Sequence, residues 1–385
     1  MGSKLELIEQ IHNSPVQAIL AVTGGGSRAI SDLLTVPGAS RTVLEAVVPY
    51  AASAMTAWIG ARPEQFCSSR TGRLMAMAAF QRAGLFSEPR NGEEPFHDLA
   101  GIGCTASLAS DRPKHGPHRI HVALQTAERT VADWLELGKG HRTRDEEESV
   151  AAALVLNLLA ESCGMDALLE LDLRPDEQVV RDEVIAPQSW RDLLLGKVDA
   201  VCHNCAVQPK PVRRVIFPGT FNPLHDGHRG MAAVAAEMLG QPVEFEISIV
   251  NVDKPMLDYV EMARRSAQFS SEQVLWFTRA AKFTEKVALF ENAVFVVGAD
   301  TIVRIADPRY YDNDAGERDQ AIHQIAAAGG RFLVFGRKTE AGFQGPDSLQ
   351  LPAALRELCQ GVPAERFRQD ISSTELRTAS RRIAD

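Results

Sequence analysis

The sequence predicts two α/β domains in tandem, the second built on a parallel sheet. Three observations carry this. A chain of 385 residues is long for one core. Short apolar runs of strand length alternate with amphipathic stretches of helical period. Gly-rich or Gly/Pro-rich turns follow two of those runs, as at strand-to-helix junctions of α/β proteins.

In the first domain, residues 1–165, Pro15 to Val22 (PVQAILAV) reads as a buried strand running into Thr23-Gly24-Gly25-Gly26. Val43 to Tyr50 and Arg119 to Leu124 read as further strands, the latter with clear alternation. Ser69 to Arg82 and Asp145 to Ser162 read as helices. The second begins with four acids, Asp145 to Glu148, that suit a helix N-terminus, and stops at Gly164. Residues 166–211 hold Pro175, Pro187, Pro209 and Pro211 and little periodicity, and read as a connector with some structure of its own. Cys202 and Cys205 within it form half of a zinc pattern. A structural zinc needs four ligands, so they read as ordinary thiols and no metal site is expected.

The second domain, 212–385, opens with a buried strand at Val215–Phe217, a loop from Pro218 to Gly227 and a helix from His228 to Leu239. Val243 to Val252 reads as a strand, Gln273 to Phe290 as a helix, and Asn292 to Val297 and Arg331 to Phe335 as two more strands. Ligands in such sheets sit beyond the carboxyl ends of the strands.

Composition narrows the class. Apolar content of 45% and charged content of 24% are those of a soluble globular protein. A net charge of −9 argues against a broad nucleic-acid surface, though not against a local cationic pocket for phosphates. No apolar run is long enough to span a membrane, the N-terminus lacks the apolar core of a signal peptide, and six scattered cysteines form no disulfide framework. A cytoplasmic, reducing setting is expected. Assembly as a homo-oligomer is left open.

The chemistry concentrates in Gly219-Thr220-Phe221-Asn222-Pro223-Leu224-His225-Asp226-Gly227-His228, at the carboxyl end of a strand. Gly219 lets a backbone approach a ligand and Pro223 stiffens the loop. His225 and His228 flank Gly227 at a helix entry, where free N–H groups already favour an anion. Two imidazoles aimed at one point can donate to a phosphate during nucleotidyl transfer, which needs positioning and charge stabilisation rather than a covalent intermediate. A second segment is Ile371-Ser372-Ser373-Thr374-Glu375-Leu376-Arg377. Ser372 and Glu375 have capping-box spacing, so read alone this is a capped helix with a surface Arg; read with the first it offers Ser373, Thr374 and Arg377 as phosphate ligands.

GTFNPLHDGH resembles the HxGH signature of the nucleotidyltransferase superfamily, and ISSTELR resembles its ISSTxIR signature. Within it, residues from about Val212 to Ser380 are most similar to nicotinamide or nicotinate mononucleotide adenylyltransferases. The resemblance implies a Rossmann-like fold, ATP with Mg²⁺, and adenylyl transfer to the phosphate of a mononucleotide. It implies that His225 and His228 stabilise the reacting phosphates and that Ser372, Ser373, Thr374 and Arg377 hold the leaving pyrophosphate. Gly219, Thr220 and Phe221 would shape the floor, and Gly298 and Asp300, in VVGADT, would lie near the adenosine. No segment matches the family's pyridine-recognition element. Lys254, after the second strand, is either a cation for the acceptor phosphate or part of a solvated loop.

Thr23-Gly24-Gly25-Gly26-Ser27, Val36-Pro37-Gly38-Ala39-Ser40 and Val47-Val48-Pro49-Tyr50 are similar to the C-terminal domain of the CinA family, which includes nicotinamide-nucleotide amidases. Gly101-Ile102-Gly103 resembles a later segment of it. An ungapped count sets Thr23 at the family's serine nucleophile; alignment of the glycines sets Ala21 there. Tyr50 matches the family's tyrosine, and its lysine falls on Met55. A hydroxyl nucleophile needs a neighbouring base or cation, so the domain reads as catalytically degenerate, with Thr23, Gly24, Gly25 and Tyr50 around a pocket.

The expected function is ATP-dependent adenylyl transfer to a pyridine mononucleotide with release of pyrophosphate; the expected partners are thus a nucleoside triphosphate and a phosphorylated small molecule. A cytidylyl- or phosphopantetheine-type transferase and a nucleotide-binding regulatory protein stay open.

Overall fold

The computed structural model describes residues 3–87, 96–111, 115–205, 213–251, 254–339, 342–344 and 348–367. The chain divides into two compact units: Met1–Lys197 with Asn251–Ala263, and Val198–Val250 with Arg264–Asp385.

The first unit is a six-stranded mixed sheet. Its strands are β1 (Gln17–Thr23), β2 (Val43–Val47), β3 (Leu99–Ser107), β4 (His118–Gln125), β5 (Arg129–Leu137) and β6 (Val180–Ile185), ordered β2-β1-β3-β4-β5-β6. β1 pairs in parallel with β2 and β3, while β3 to β6 form an antiparallel meander. One face carries α1 (Lys4–Asn13), α2 (Ser27–Thr35) and a helix of 19 residues, Arg144–Ser162. That face holds the core: Leu20 and Val22 of β1, Ile102 and Cys104 of β3 and Ile120 and Val122 of β4 pack on Leu7, Ile8, Ile11 and Val155. The other face carries the helix Ser69–Phe86. Gly101 and Gly103 let that helix lie directly on β3, since a Cβ at Gly101 would stand 2.1 Å from the Ala76 carbonyl oxygen and one at Gly103 2.2 Å from that of Gly72.

Asn251–Ala263 is anchored within this unit by buried polar groups. Arg73 donates from Nε to both oxygens of Asp258 at 3.1 Å, and the fully buried Tyr259 donates its hydroxyl to the Ala127 carbonyl at 2.7 Å.

The second unit is a seven-stranded sheet. Its strands are β7 (Ala200–His203), β8 (Val215–Pro218), β9 (Val243–Ser248), β10 (Leu275–Thr278), β11 (Val294–Gly298), β12 (Arg331–Phe335) and, beyond a hairpin of β13 (Arg337–Thr339) and β14 (Gly342–Gln344), β15 (Cys359–Gly361). The order is β15-β12-β11-β8-β9-β10-β7, parallel except for β7, which runs antiparallel to β10. The chain passes from β8 to β9 and β10 on one side, then returns to place β11 and β12 on the other. The order therefore reverses between β8 and β11, the topological switch point at which open α/β sheets bind ligands.

Two expectations change, and the structure of the connector is filled in. Residues 273–290, expected as one helix, are β10 followed by the helix Phe283–Leu289. Trp276, Phe277 and Thr278 are aromatic and β-branched, and a slot between β9 and β7 decides their state over the helical period around them. The stretch 166–211 supplies β6 to one sheet and β7 to the other. Cys202 and Cys205, expected as separate thiols, are joined as a disulfide. Positive φ at Asn204 turns the chain so that their Cα atoms lie 5.8 Å apart, within disulfide reach. Among the described residues no helix is long and apolar enough to cross a membrane.

Candidate active site

The loop after β8 owes its shape to one buried ring. Gly219 N–H donates to the Glu246 carbonyl at 2.9 Å and so extends the β8–β9 ladder by one bond. The chain then turns through Phe221, at φ 42°, which is fully buried. Its ring meets those of Phe217, Phe245 and Phe269 edge-on at centroid distances of 5.4, 5.4 and 5.6 Å. A Cβ at Gly219 would lie 2.6 Å from that ring, so Phe221 can fold back only over a glycine. An Asn222–Pro223 cis peptide follows, and the loop enters the helix Asp226–Leu239 with His225 as its N-cap residue.

His225 and His228 are thereby brought together, with rings stacked at 3.8 Å. The backbone N–H of His225 donates to His228 Nδ1 at 3.3 Å. An N–H can only donate, so Nδ1 is the acceptor and the neutral ring carries its proton on Nε2. Burial, followed by the neighbouring His225, pushes His228 down to about 4. Burial also lowers His225, against the pull of Asp226. Two neutral imidazoles therefore stand at a helix N-terminus, one with its tautomer set.

Gly298 ends β11, the neighbour of β8, and caps the helix Ala299–Ala306. Open space lies beside it: a Cβ there would meet nothing within 4 Å. Asp300 is exposed in the first turn of that helix and Thr220 is exposed in the loop. The structure thus gathers Gly219, Thr220, Phe221, His225, His228, Gly298 and Asp300 at the carboxyl edge of the two strands that flank the switch point. Ser372, Ser373, Thr374 and Arg377 lie outside the described residues. Lys254 is exposed on the segment that belongs to the first unit.

Sequence reasoning missed the groups that hold this loop. Gln268 accepts from Leu224 N–H at 2.8 Å and donates to the Phe221 carbonyl at 3.0 Å. Arg265, 6% exposed, donates to the Thr220 carbonyl at 3.0 Å, and Arg264 bonds the Asn222 side chain. Only the triple Arg-Arg-x-x-Gln could have hinted at them, and it carries no signature.

The first unit has a cavity of about 250 Å³ lined by Thr23, Gly24, Pro49, Tyr50, Met55, Phe66, Cys67 and Thr105 among others, with no charged side chain among the described residues of its wall. Of the two candidates for the family's serine position, Thr23 lines it while Ala21 is fully buried. The glycine turn has other duties. Gly24, at φ +73°, lies so close to the Ala106 carbonyl that a Cβ would come within 1.9 Å, and Gly25 packs on Leu108. Glu148 accepts from Gly26 N–H and Arg28 N–H, both at 3.0 Å, and so occupies the N-terminus of α2 with the protein's own carboxylate.

With this geometry in hand, residues 216–379 match the cytidylyltransferase-like family. The C-terminal domain is cytidylyltransferase-like and of Rossmann type. The chain is 24% identical over 185 residues to a Schizosaccharomyces pombe protein named "Putative nicotinamide mononucleotide adenylyltransferase", spanning 44% of this chain and 71% of that one. A solved structure, competence/damage inducible protein CihA from Agrobacterium tumefaciens, aligns at 18% identity and a TM-score of 0.33, over 42% of this chain and 96% of that one.

Proposed function

We propose that the C-terminal nucleotidyltransferase-like domain transfers the adenylyl group of ATP, supplied as its Mg²⁺ complex, to the phosphate of a pyridine mononucleotide. An acceptor phosphate oxygen bonds to the α-phosphorus, the bond from that phosphorus to the α–β bridging oxygen breaks, and pyrophosphate leaves. The single observation that carries the reading is the His225–His228 pair at the switch point, with His228 presenting a preset Nε2–H donor. Such a donor stabilises charge that grows on phosphate oxygens in the transition state and needs no rearrangement at that moment. Mg²⁺ enters as part of the substrate, held by phosphate oxygens, in keeping with its usual place in phosphoryl-transfer sites. Ser372, Ser373, Thr374 and Arg377 are proposed to grip the β- and γ-phosphates, on the strength of their motif. The mononucleotide acceptor rests on the name of the fission-yeast relative. Cytidylyl transfer from CTP has the family match in its favour.

The test is a matrix of ATP, CTP and GTP against nicotinamide mononucleotide, nicotinic acid mononucleotide, phosphopantetheine and glycerol 3-phosphate, scored by pyrophosphate release. The proposal expects turnover with ATP and a pyridine mononucleotide. Turnover with CTP alone would replace it with cytidylyl transfer, and none with any pair would overturn it.

A further inference from the structure

We infer that Gln268 is a positioning residue for the catalytic loop, gripping both sides of the Asn222–Pro223 pair so that the two histidines meet the substrate in register. The inference rests on the transferase reading and assigns the part of the site that its motifs leave out.

The geometry is that of a one-residue strand. The Gln268 carboxamide oxygen accepts from Leu224 N–H at 2.8 Å and its nitrogen donates to the Phe221 carbonyl at 3.0 Å. The same nitrogen reaches the Arg265 carbonyl at 3.3 Å, one turn back along its own segment. A carboxamide is the side chain that pairs with one backbone donor and one backbone acceptor at once; a carboxylate offers no donor and an aliphatic group neither. Without this pairing the loop between Phe221 and His225 would have to find partners for a half-buried N–H and C=O elsewhere. The buried Phe221 ring fixes where the loop starts, and the helix Asp226–Leu239 fixes where it ends. Gln268 fixes the course between them, and that course sets the register of His225, the residue immediately after Leu224. Arg265, through the Thr220 carbonyl, holds the entry to the same stretch.

The consequence concerns geometry rather than affinity. A loop freed at Phe221 and Leu224 keeps its histidines but lets them wander, and a displacement of about 1 Å costs on the order of 10²-fold in rate. The experiment uses the full-length chain with Gln268→Met, which keeps length and removes both bonds, and Gln268→Glu, which keeps the acceptor and loses the donor. Pyrophosphate release gives kcat and KM for the triphosphate, and the ring signals of His225 and His228 are followed by NMR across pH. Gln268→Met should lower kcat by roughly 10-fold to 10²-fold with KM for the triphosphate little changed. The His228 ring should titrate higher as its packing loosens, and Gln268→Glu should fall between. Unchanged kcat and an unchanged His228 titration beside a lowered melting temperature would make Gln268 a purely structural residue and overturn the inference. If Gln268→Met does not fold, Gln268→Asn serves the same comparison. The NMR arm needs no substrate, so it decides the role of Gln268 even where the wild-type chain releases no pyrophosphate and the transferase reading itself has failed.

Discussion

His225 donates its backbone N–H to Nδ1 of His228 at 3.3 Å, across a pair of rings stacked at 3.8 Å. One hydrogen bond within a single helical turn thus fixes which nitrogen of the neutral His228 ring carries the proton. Protonation would put a proton on Nδ1 as well and abolish the bond, and burial opposes the extra charge.

From this follows the first prediction. His228→Ala should lower turnover by ~10²-fold or more, the scale of losing one preorganised donor to a transition state. The wild-type rate should show no change attributable to His228 as pH falls through 6.5, the ordinary value; a change is expected only toward about 4, where the ring protonates and gives up the bond at Nδ1. Steady-state pyrophosphate release by both proteins checks it. An unaffected rate in a folded variant removes His228 from the mechanism.

The carboxylate of Glu246 in β9 is fully buried and accepts two bonds from Lys286 Nζ, at 2.7 and 2.8 Å; the ammonium also donates to the Ala280 carbonyl at 2.8 Å. Removing one partner leaves an uncompensated buried charge, so Lys286→Met should destabilise the second unit by about 3–5 kcal/mol. The double variant Lys286→Met with Glu246→Leu should recover much of the loss, because a buried pair is often replaceable by apolar groups of like volume. Denaturant midpoints of the wild type, Lys286→Met, Glu246→Leu and the double variant form the cycle; a double variant as weak as Lys286→Met would refute the charge argument.

What the sequence made legible was whatever is encoded locally. The run of Val215 to Phe217 into a glycine, and two histidines at a helix entry, are sufficient to place a strand, a turn and the start of a helix, and the structure sets them at the switch point. Groups supplied from elsewhere in the chain stayed hidden. Gln268 acts across 44 residues on Leu224, and nothing in its neighbourhood announces that. Leu275 to Thr278 sit in a stretch whose apolar spacing suits a helix, and only the vacancy beside β9 makes them a strand. The acids Glu147 and Glu148 looked like helix-dipole residues; in the fold Glu147 pairs with His118 at 2.7 Å and Glu148 caps a different helix. Gly24 and Gly25, read from the sequence only as part of a pocket, are required by close packing on Ala106 and Leu108.

His121 in β4 gives a third prediction. It is 8% exposed, both ring nitrogens lack a hydrogen-bond partner among the described residues, and it lies stacked 6.3 Å from Trp134. Burial, then the charge of Arg119, pushes it down to about 4. The native ring stays neutral where the unfolded chain binds a proton. The stability this contributes is fully present above about 6.5 and lost as pH falls toward about 4. His121→Phe removes both the proton site and the unsatisfied nitrogens, so it should stabilise the first unit by roughly 1 kcal/mol near neutrality. The gain should be larger in mild acid. Hydrogen exchange of β4 and β5 amides at two pH values measures it, and an equal or smaller gain in acid would contradict the assignment.

The last prediction is that the first unit releases little or no ammonia from nicotinamide mononucleotide. Thr23 supplies a hydroxyl to its cavity, and among the described residues of the wall there is no Lys, Arg, His, Asp or Glu to activate it. Met55, 2% exposed and on the cavity wall, stands where the resembled amidases carry a lysine, and a thioether neither takes a proton nor lends a positive charge. The substrate phosphate would find no better reception. The described wall has no charged side chain, and the N–H groups of Gly26 and Arg28 at the start of α2 are already given to Glu148. Restoring the chemistry needs both pieces, so Thr23→Ser alone should stay inactive, and Thr23→Ser with Met55→Lys is the variant with a base beside its nucleophile. The amine introduced by Met55→Lys would start from an apolar cluster of Ala21, Ile59 and Met75, which favours its neutral form and suits it to accept a proton. Ammonia release from the mononucleotide by the full-length wild type, the single and the double variants is the measurement. Robust release by the unmodified chain would refute this reading and make the first unit an enzyme in its own right.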